Sequence, residues 1–161
     1  MSKFEQSVPA VSVSYKGDGS STTSNALGMR AMQERAYERR GEQYLLIKSP
    51  PASGKSRALM FIALDKIHNQ GLKKAVVVVP EKSIGASFSD EPLSKFGFWI
   101  DWHVEPQWNL CNAPGEDGSK VRSVNSFLNS DDSALVCTHA TFRFAVEQFG
   151  IEAFDDCLIA I

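Results

Sequence analysis

Eight residues carry the clearest chemistry in this chain. Ser49-Pro50-Pro51-Ala52-Ser53-Gly54-Lys55-Ser56 ends in a Gly-Lys-Ser tripeptide. Its spacing fits the phosphate-binding loop GxxxxGK[ST] at every position but the first. Such a loop aims backbone N–H groups into one concavity and adds the dipole of the helix that follows. Gly54 lets the backbone approach an oxygen with no Cβ in the way. Lys55 brings a positive charge to the β and γ phosphates. Ser56 supplies a hydroxyl to Mg²⁺. Ser49 stands where the motif has glycine, a small residue that is tolerable if its backbone angles stay on the ordinary side. Pro50 and Pro51 stiffen the approach. A Gly-Lys-Ser tripeptide alone is a weak signal, and its weight comes from the elements around it.

Those elements have the required order. Tyr44-Leu45-Leu46-Ile47-Lys48 reads as a short strand before the loop. Lys55 to Asn69 reads as a helix after it, with Leu59, Ile62, Ala63 and Ile67 on one side and Gly71 closing it. Ala75 to Val79 is a continuous β-branched run, apolar on both faces, as expected inside a parallel sheet covered by helices. Further on, the pattern predicts a broken helical segment over Lys82–Phe96, a strand over Phe98–Val104 and a helix over Lys120–Leu128. A strand over Ala134–Thr138, a helix over Ala140–Phe149 and a last strand over Cys157–Ile161 follow. Upstream, Ala26–Arg40 reads as a helix capped by Asn25 and ended by Gly41. Residues 1–28 read as a polar, flexible segment with an edge strand at Val8–Tyr15. Alternation of strands and helices implies βαβ units and a mainly parallel sheet of about five strands.

Composition sets the outer bounds. The chain has 161 residues, 43% of them apolar and 22% charged, which suits one domain with a real core. No run approaches a membrane span, and the N-terminus lacks the order of a signal peptide. Cys111, Cys137 and Cys157 form an odd, sparse set, more consistent with reduced thiols in a cytoplasmic protein than with a disulfide framework. The net charge of −2 hides an asymmetry. Arg30 to Lys82 holds eleven Lys or Arg against five Asp or Glu. That half, including Arg35, Arg39, Arg40, Lys48, Lys73 and Lys74, either attracts phosphates or forms an ordinary solvated face.

Other chemistry-bearing residues point elsewhere. His68, His103 and His139 have no metal-ligand spacing. Phe98, Ile100 and Trp102 share one strand face, so core packing outweighs a base-stacking role for the aromatic cluster. Asp131-Asp132 and Asp155-Asp156 read as turns. No Ser/His/Asp order is present.

The order of segments from about Met29 to Ile161 resembles the first RecA-like lobe of superfamily 2 helicases and translocases, nearest the type III restriction and DEAD/DEAH-box-like branch. SPPASGKS looks like motif I. Val76-Val77-Val78-Val79-Pro80-Glu81-Lys82-Ser83 looks like motif Ia. Leu135 to Thr141 looks like the later strand-plus-threonine segment, and Phe154 to Ile161 like the approach to motif II. The resemblance implies an α/β three-layer P-loop NTPase sandwich, incomplete at its C-terminus, with residues 29–161 as a partial ATP-binding lobe cut just before motif II.

It implies ATP and Mg²⁺ as cofactors, held by Ser49, Ala52, Ser53, Gly54, Lys55, Ser56 and Arg57. Ser56 would be the Mg²⁺ residue and Lys55 the catalytic one. Gln33 stands where the family often reads the adenine edge, an interaction an amide can make by donating and accepting together. Lys82, Ser83 and Thr138 would face nucleic acid, DNA ahead of RNA. Solvation, a helix cap and a strand end explain those three equally well. The expected parent is an ATP-dependent helicase or translocase with a second RecA-like lobe, and the fragment alone should bind nucleotide weakly without hydrolysing it. The alternatives are a small P-loop kinase and a non-catalytic interaction module with a vestigial loop.

Overall fold

The computed structural model describes residues 22–161. The edge strand expected at Val8–Tyr15 lies outside them. Among the described residues the chain is an α/β fold with a three-stranded parallel sheet and five α-helices. The helices are α1 (Ala31–Glu38), α2 (Lys55–Asn69), α3 (Lys82–Gly85), α4 (Asp117–Leu128) and α5 (His139–Phe149). The strands are β1 (Lys74–Val79), β2 (Ala134–Thr138) and β3 (Cys157–Ala160). Their order is β2-β1-β3. Register pairs Val79 with Thr138 on one side of β1 and Val77 with Ala160 on the other.

The β-branched run explains why β1 is central. All six of its residues are buried, so both faces are covered and both edges are paired. Helix α2 packs against β1 and β3 with α1 behind it, while α4 and α5 pack together and α5 also meets β2 and β1. Phe61 on α2 is buried and sits edge-on to Tyr37 and Phe98, at ring-centroid distances of 6.5 and 4.7 Å.

Two expected strands are not strands. Tyr44–Lys48 forms no ladder, and Tyr44 and Leu46 are 86% and 92% exposed. Of this apolar run only Ile47 packs against the core. The segment lines a trough of about 580 Å³ together with residues of β3 and α2, and it pairs with no strand of the sheet. The Phe98–Val104 strand is reduced to one antiparallel bridge between Trp102 and Glu91. Pro92 follows Glu91 and has no N–H to extend the ladder, and a 3₁₀ turn over Leu93–Phe96 leads the chain away. The alternation itself survives: Phe98, Trp102 and Val104 are buried, while Trp99, Asp101 and His103 are exposed. The sheet therefore has three strands among the described residues, not about five.

Helix α1 is shorter than its apolar spacing suggests. Asn25 Oδ1 accepts from the N–H groups of Leu27 and Met29, both at 3.1 Å, and so caps a turn before the helix. The helix starts after Arg30, whose N–H donates to Gln33 Oε1 at 2.8 Å. It ends at Glu38, before Gly41. The turn at 25–28 packs against the 96–97 corner. Gly97 has φ +108°, and a Cβ there would meet Ala26 O at 2.1 Å.

Several residues of the basic half are structural. Lys74 is buried and donates to the carbonyls of Ser130 and Asp132, both at 2.6 Å, with its ammonium over the Phe127 ring. Burial pushes its pKa down. Lys66 is buried and donates to Glu42 O at 2.9 Å. Arg40 pairs with Asp65 at 3.2 Å. The +6 balance is thus not one open phosphate-facing surface.

Asp65 is the most connected carboxylate of this layer. It accepts from Tyr37 Oη (3.2 Å), Asn69 Nδ2 (2.8 Å) and Gln70 Nε2 (2.7 Å). Burial pushes its pKa up, but those hydrogen bonds and Arg40 outweigh burial and hold it below the ordinary aspartate value. A carboxyl depressed in the folded state stabilises above its unfolded pKa and loses that contribution as pH falls through the folded pKa. Asp65→Asn should therefore cost about 1–3 kcal/mol near neutrality. Its melting temperature should also fall less steeply than wild type as pH drops into the acidic range. Thermal melts at stepped pH check this, and parallel curves for the two proteins would contradict it.

Candidate nucleotide-binding site

The loop from Ser49 runs into the start of α2 at Lys55, and the segment leading into it differs from expectation. The strand expected before it is an exposed segment with no regular structure. Ala52 has φ +58° and Gly54 φ +92°. These two left-handed residues fold the chain tightly before it enters the helix. Gly54 is the N-cap of α2, a residue with no side chain to bond the free N–H groups of the first turn. That turn contains no acidic residue. The positive end of a 15-residue helix is therefore left to the concavity, flanked by Lys55 and Arg57.

Gln33 locks the loop to α1. Its Nε2 donates to Gly54 O at 3.1 Å, and its Oε1 accepts from Arg30. The side chain is 2% exposed. A Cβ on Gly54 would lie 2.5 Å from Gln33 Nε2. The amide donates once and accepts once within the protein, and each end keeps capacity for one more partner. Ser49 and Ser53 hold each other through their hydroxyls across the loop. Lys55 Nζ donates to the carbonyls of Ser49 (2.8 Å) and Pro50 (3.1 Å). Both acceptors are neutral, so the ammonium keeps its charge uncompensated there.

A cleft of about 370 Å³ opens at this point, lined by Arg30, Gln33, Ala52, Gly54, Lys55, Ser56 and Arg57. Six of these are residues singled out from the sequence. Ser49 and Ser53 stay within the loop rather than on the lining. Arg30 is the addition. Its signal in the sequence was faint, a base three residues before Gln33 in MRAMQ, which becomes meaningful only once that amide is seen against Gly54. The donor set suits a polyphosphate: three cations, an open helix N-terminus and no carboxylate on the lining. No group of three or more His, Cys, Asp or Glu that could hold a metal ion occurs among the described residues.

Lys82, Ser83 and Thr138 lie outside this cleft. Lys82 and Ser83 begin α3 just beyond the C-terminal end of β1. Thr138 ends β2 and caps α5, with its Oγ1 accepting from Thr141 N at 3.4 Å. Because β1 and β2 are parallel and in register at Val79 and Thr138, these residues share one edge of the sheet. Helix α2 returns to the start of β1 through Gly71, so its N-terminus also lies toward that edge. Ligand sites in open α/β sheets occur at the carboxyl ends of the strands.

Comparison with known proteins adds a sequence relative. Over 151 residues, 94% of this chain, it is 54% identical to the protein named "Putative ATP-dependent helicase YeeB" of Bacillus subtilis (strain 168). The chain is similar to part of a helicase-named protein. It spans about a quarter of that relative's length (25%). No family model matches the chain. No solved structure matches it. No helix among the described residues is long and apolar enough to cross a membrane.

Proposed function

We propose that this chain is the ATP-binding part of an ATP-dependent nucleic-acid helicase or translocase, with a partial RecA-like lobe of the superfamily 2 kind. The observation that carries the reading is the cleft at the N-terminus of α2, where Gly54, Lys55, Ser56 and Arg57 meet Gln33 and Arg30. The name of the relative supports the same class. Loop amides would cradle the phosphates, and Lys55 would leave the carbonyls of Ser49 and Pro50 for the β and γ phosphates. Ser56 would hold Mg²⁺, which when bound neutralises phosphate charge. The remaining capacity of the Gln33 amide would serve the adenine edge.

Lys82, Ser83 and Thr138, at the carboxyl ends of β1 and β2, would meet the nucleic acid, DNA ahead of RNA. A second RecA-like lobe would complete the motor in a cytoplasmic protein. The chain alone would bind nucleotide weakly and hydrolyse it negligibly. A fluorescent ATP analogue, displaced by unlabelled ATP, tests the first claim. Absence of saturable binding would overturn it. A turnover assay on the same sample tests the second, and a rate well above background would contradict it.

A further inference from the structure

A carboxylate outside the cleft lining holds one of the cleft's cations. Arg57 does not point freely into the concavity. Its Nη2 pairs with Glu91 Oε1, and its guanidinium lies 5.1 Å from the centre of the Phe96 ring. Both partners of the ion pair are about 30% exposed (31% and 30%), so the pair is sheltered but reachable. Glu91 comes from a segment 34 residues further along. Its own backbone is fixed by two hydrogen bonds with Trp102, at 3.0 and 3.1 Å.

The neighbours of Glu91 are fixed as well. Asp90 accepts from Val104 N at 3.0 Å and pairs with His103 at 2.9 Å, and His103 also pairs with Glu105 at 2.9 Å. Trp102 donates to Phe88 O at 3.1 Å. Glu91 is therefore held in place by main-chain bonds that do not use its own carboxylate.

Arg57 and Lys55 differ in what an incoming anion must displace. Lys55 rests on neutral carbonyls. Arg57 rests on a carboxylate, whose planar geometry matches the guanidinium fork as a phosphate does. We propose that Glu91 is a built-in counter-ion that competes with the nucleotide's phosphates for Arg57 and so sets the affinity of the cleft. Binding of a polyphosphate transfers Arg57 from Glu91 to a phosphate oxygen. Glu91 is then a positioning residue that acts through Arg57 and touches no ligand itself. This rests on the nucleotide reading of the cleft and adds a regulator to it.

The test uses the full chain with Mg-ATP and, separately, tripolyphosphate, which carries the phosphates without a base. Affinities of wild type, Glu91→Gln, Arg57→Gln and the double variant form a cycle. Glu91→Gln should tighten both ligands about two- to fivefold, the range for a partly exposed ion pair. Arg57→Gln should weaken both. The double variant should bind like Arg57→Gln, because the gain acts through that side chain. An unchanged or weaker Glu91→Gln, or a gain that persists without Arg57, would overturn the proposal.

Thermal melts check the fold of each variant. Should Glu91→Gln melt early, Glu91→Asp, one methylene shorter and still charged, should tighten binding in the same direction by less, and no change would count against the proposal. Failure of the parent reading looks different. Wild type and Lys55→Ala would then bind ATP equally, whatever Glu91→Gln does. If neither wild type nor Glu91→Gln binds either ligand, both readings fall.

Discussion

Lys55→Ala should lower the affinity for Mg-ATP about ten- to a hundredfold and leave the melting temperature within a degree or two of wild type. The size follows from charge-assisted hydrogen bonds to phosphate, worth about 1.5–3 kcal/mol each. The small effect on stability follows from the environment of the side chain. Lys55 is exposed, and its ammonium touches only the Ser49 and Pro50 carbonyls, which remain open to water when it is removed. Isothermal titration calorimetry gives the affinity and a thermal melt gives the stability. Equal affinity in the two proteins would favour a vestigial loop on an interaction module. A large fall in melting temperature would instead make Lys55 a structural residue.

Phe61→Ala should have the opposite signature. Phe61 is 1% exposed on α2, between Tyr37 of α1 and Phe98 of the 98–104 segment. Its removal opens a cavity where three parts of the chain converge, at a cost of about 3–5 kcal/mol. In a chain of this size that is a fall of roughly 6–20 °C in melting temperature. Nucleotide affinity should fall too, because α2 carries the loop and α1 carries Gln33. Chemical denaturation measures the loss. A change under about 1 kcal/mol would mean that the aromatic cluster is not the joint between the two helices.

The contrast between the two variants shows what the sequence made legible. Helix α2 was readable at both ends, from the apolar spacing of Leu59, Ile62, Ala63 and Ile67 and from the glycines at 54 and 71. Strand β1 was readable because a fully buried strand needs no alternation, only β-branched bulk. Strands β2 and β3 were readable as apolar runs bounded by turn residues. Periodicity could not show whether an apolar run finds a partner. Tyr44–Lys48 has a strand's composition, yet joins no ladder and leaves Tyr44 and Leu46 exposed. Phe98–Val104 has a strand's alternation, yet its neighbour Glu91 is followed by a proline that cannot continue a ladder.

The site divides in the same way. The Ser49–Ser56 segment is a local pattern, so Gly54, Lys55 and Ser56 were legible as candidates from spacing. Gln33 was legible as a candidate, but its place against Gly54 O depends on how α1 meets α2. The Arg57–Glu91 ion pair joins residues 34 positions apart, with Glu91 placed by a one-residue bridge to Trp102, and no local pattern announces that. The charge count alone left the basic half as either a phosphate-attracting patch or an ordinary solvated face. Burial separates it into structural cations such as Lys66 and Lys74 and cleft cations such as Lys55 and Arg57.

The central claim is that a nucleotide occupies the cleft at the start of α2. Backbone amide chemical-shift mapping of the ¹⁵N-labelled chain during titration with Mg-ATP tests it most directly. Saturable shifts should concentrate on Ala52–Arg57, with Arg30 and Gln33 moving in parallel, and Lys55→Ala should suppress them at the same ligand concentration. Shifts centred elsewhere, or an unchanged spectrum at millimolar Mg-ATP, would contradict the account.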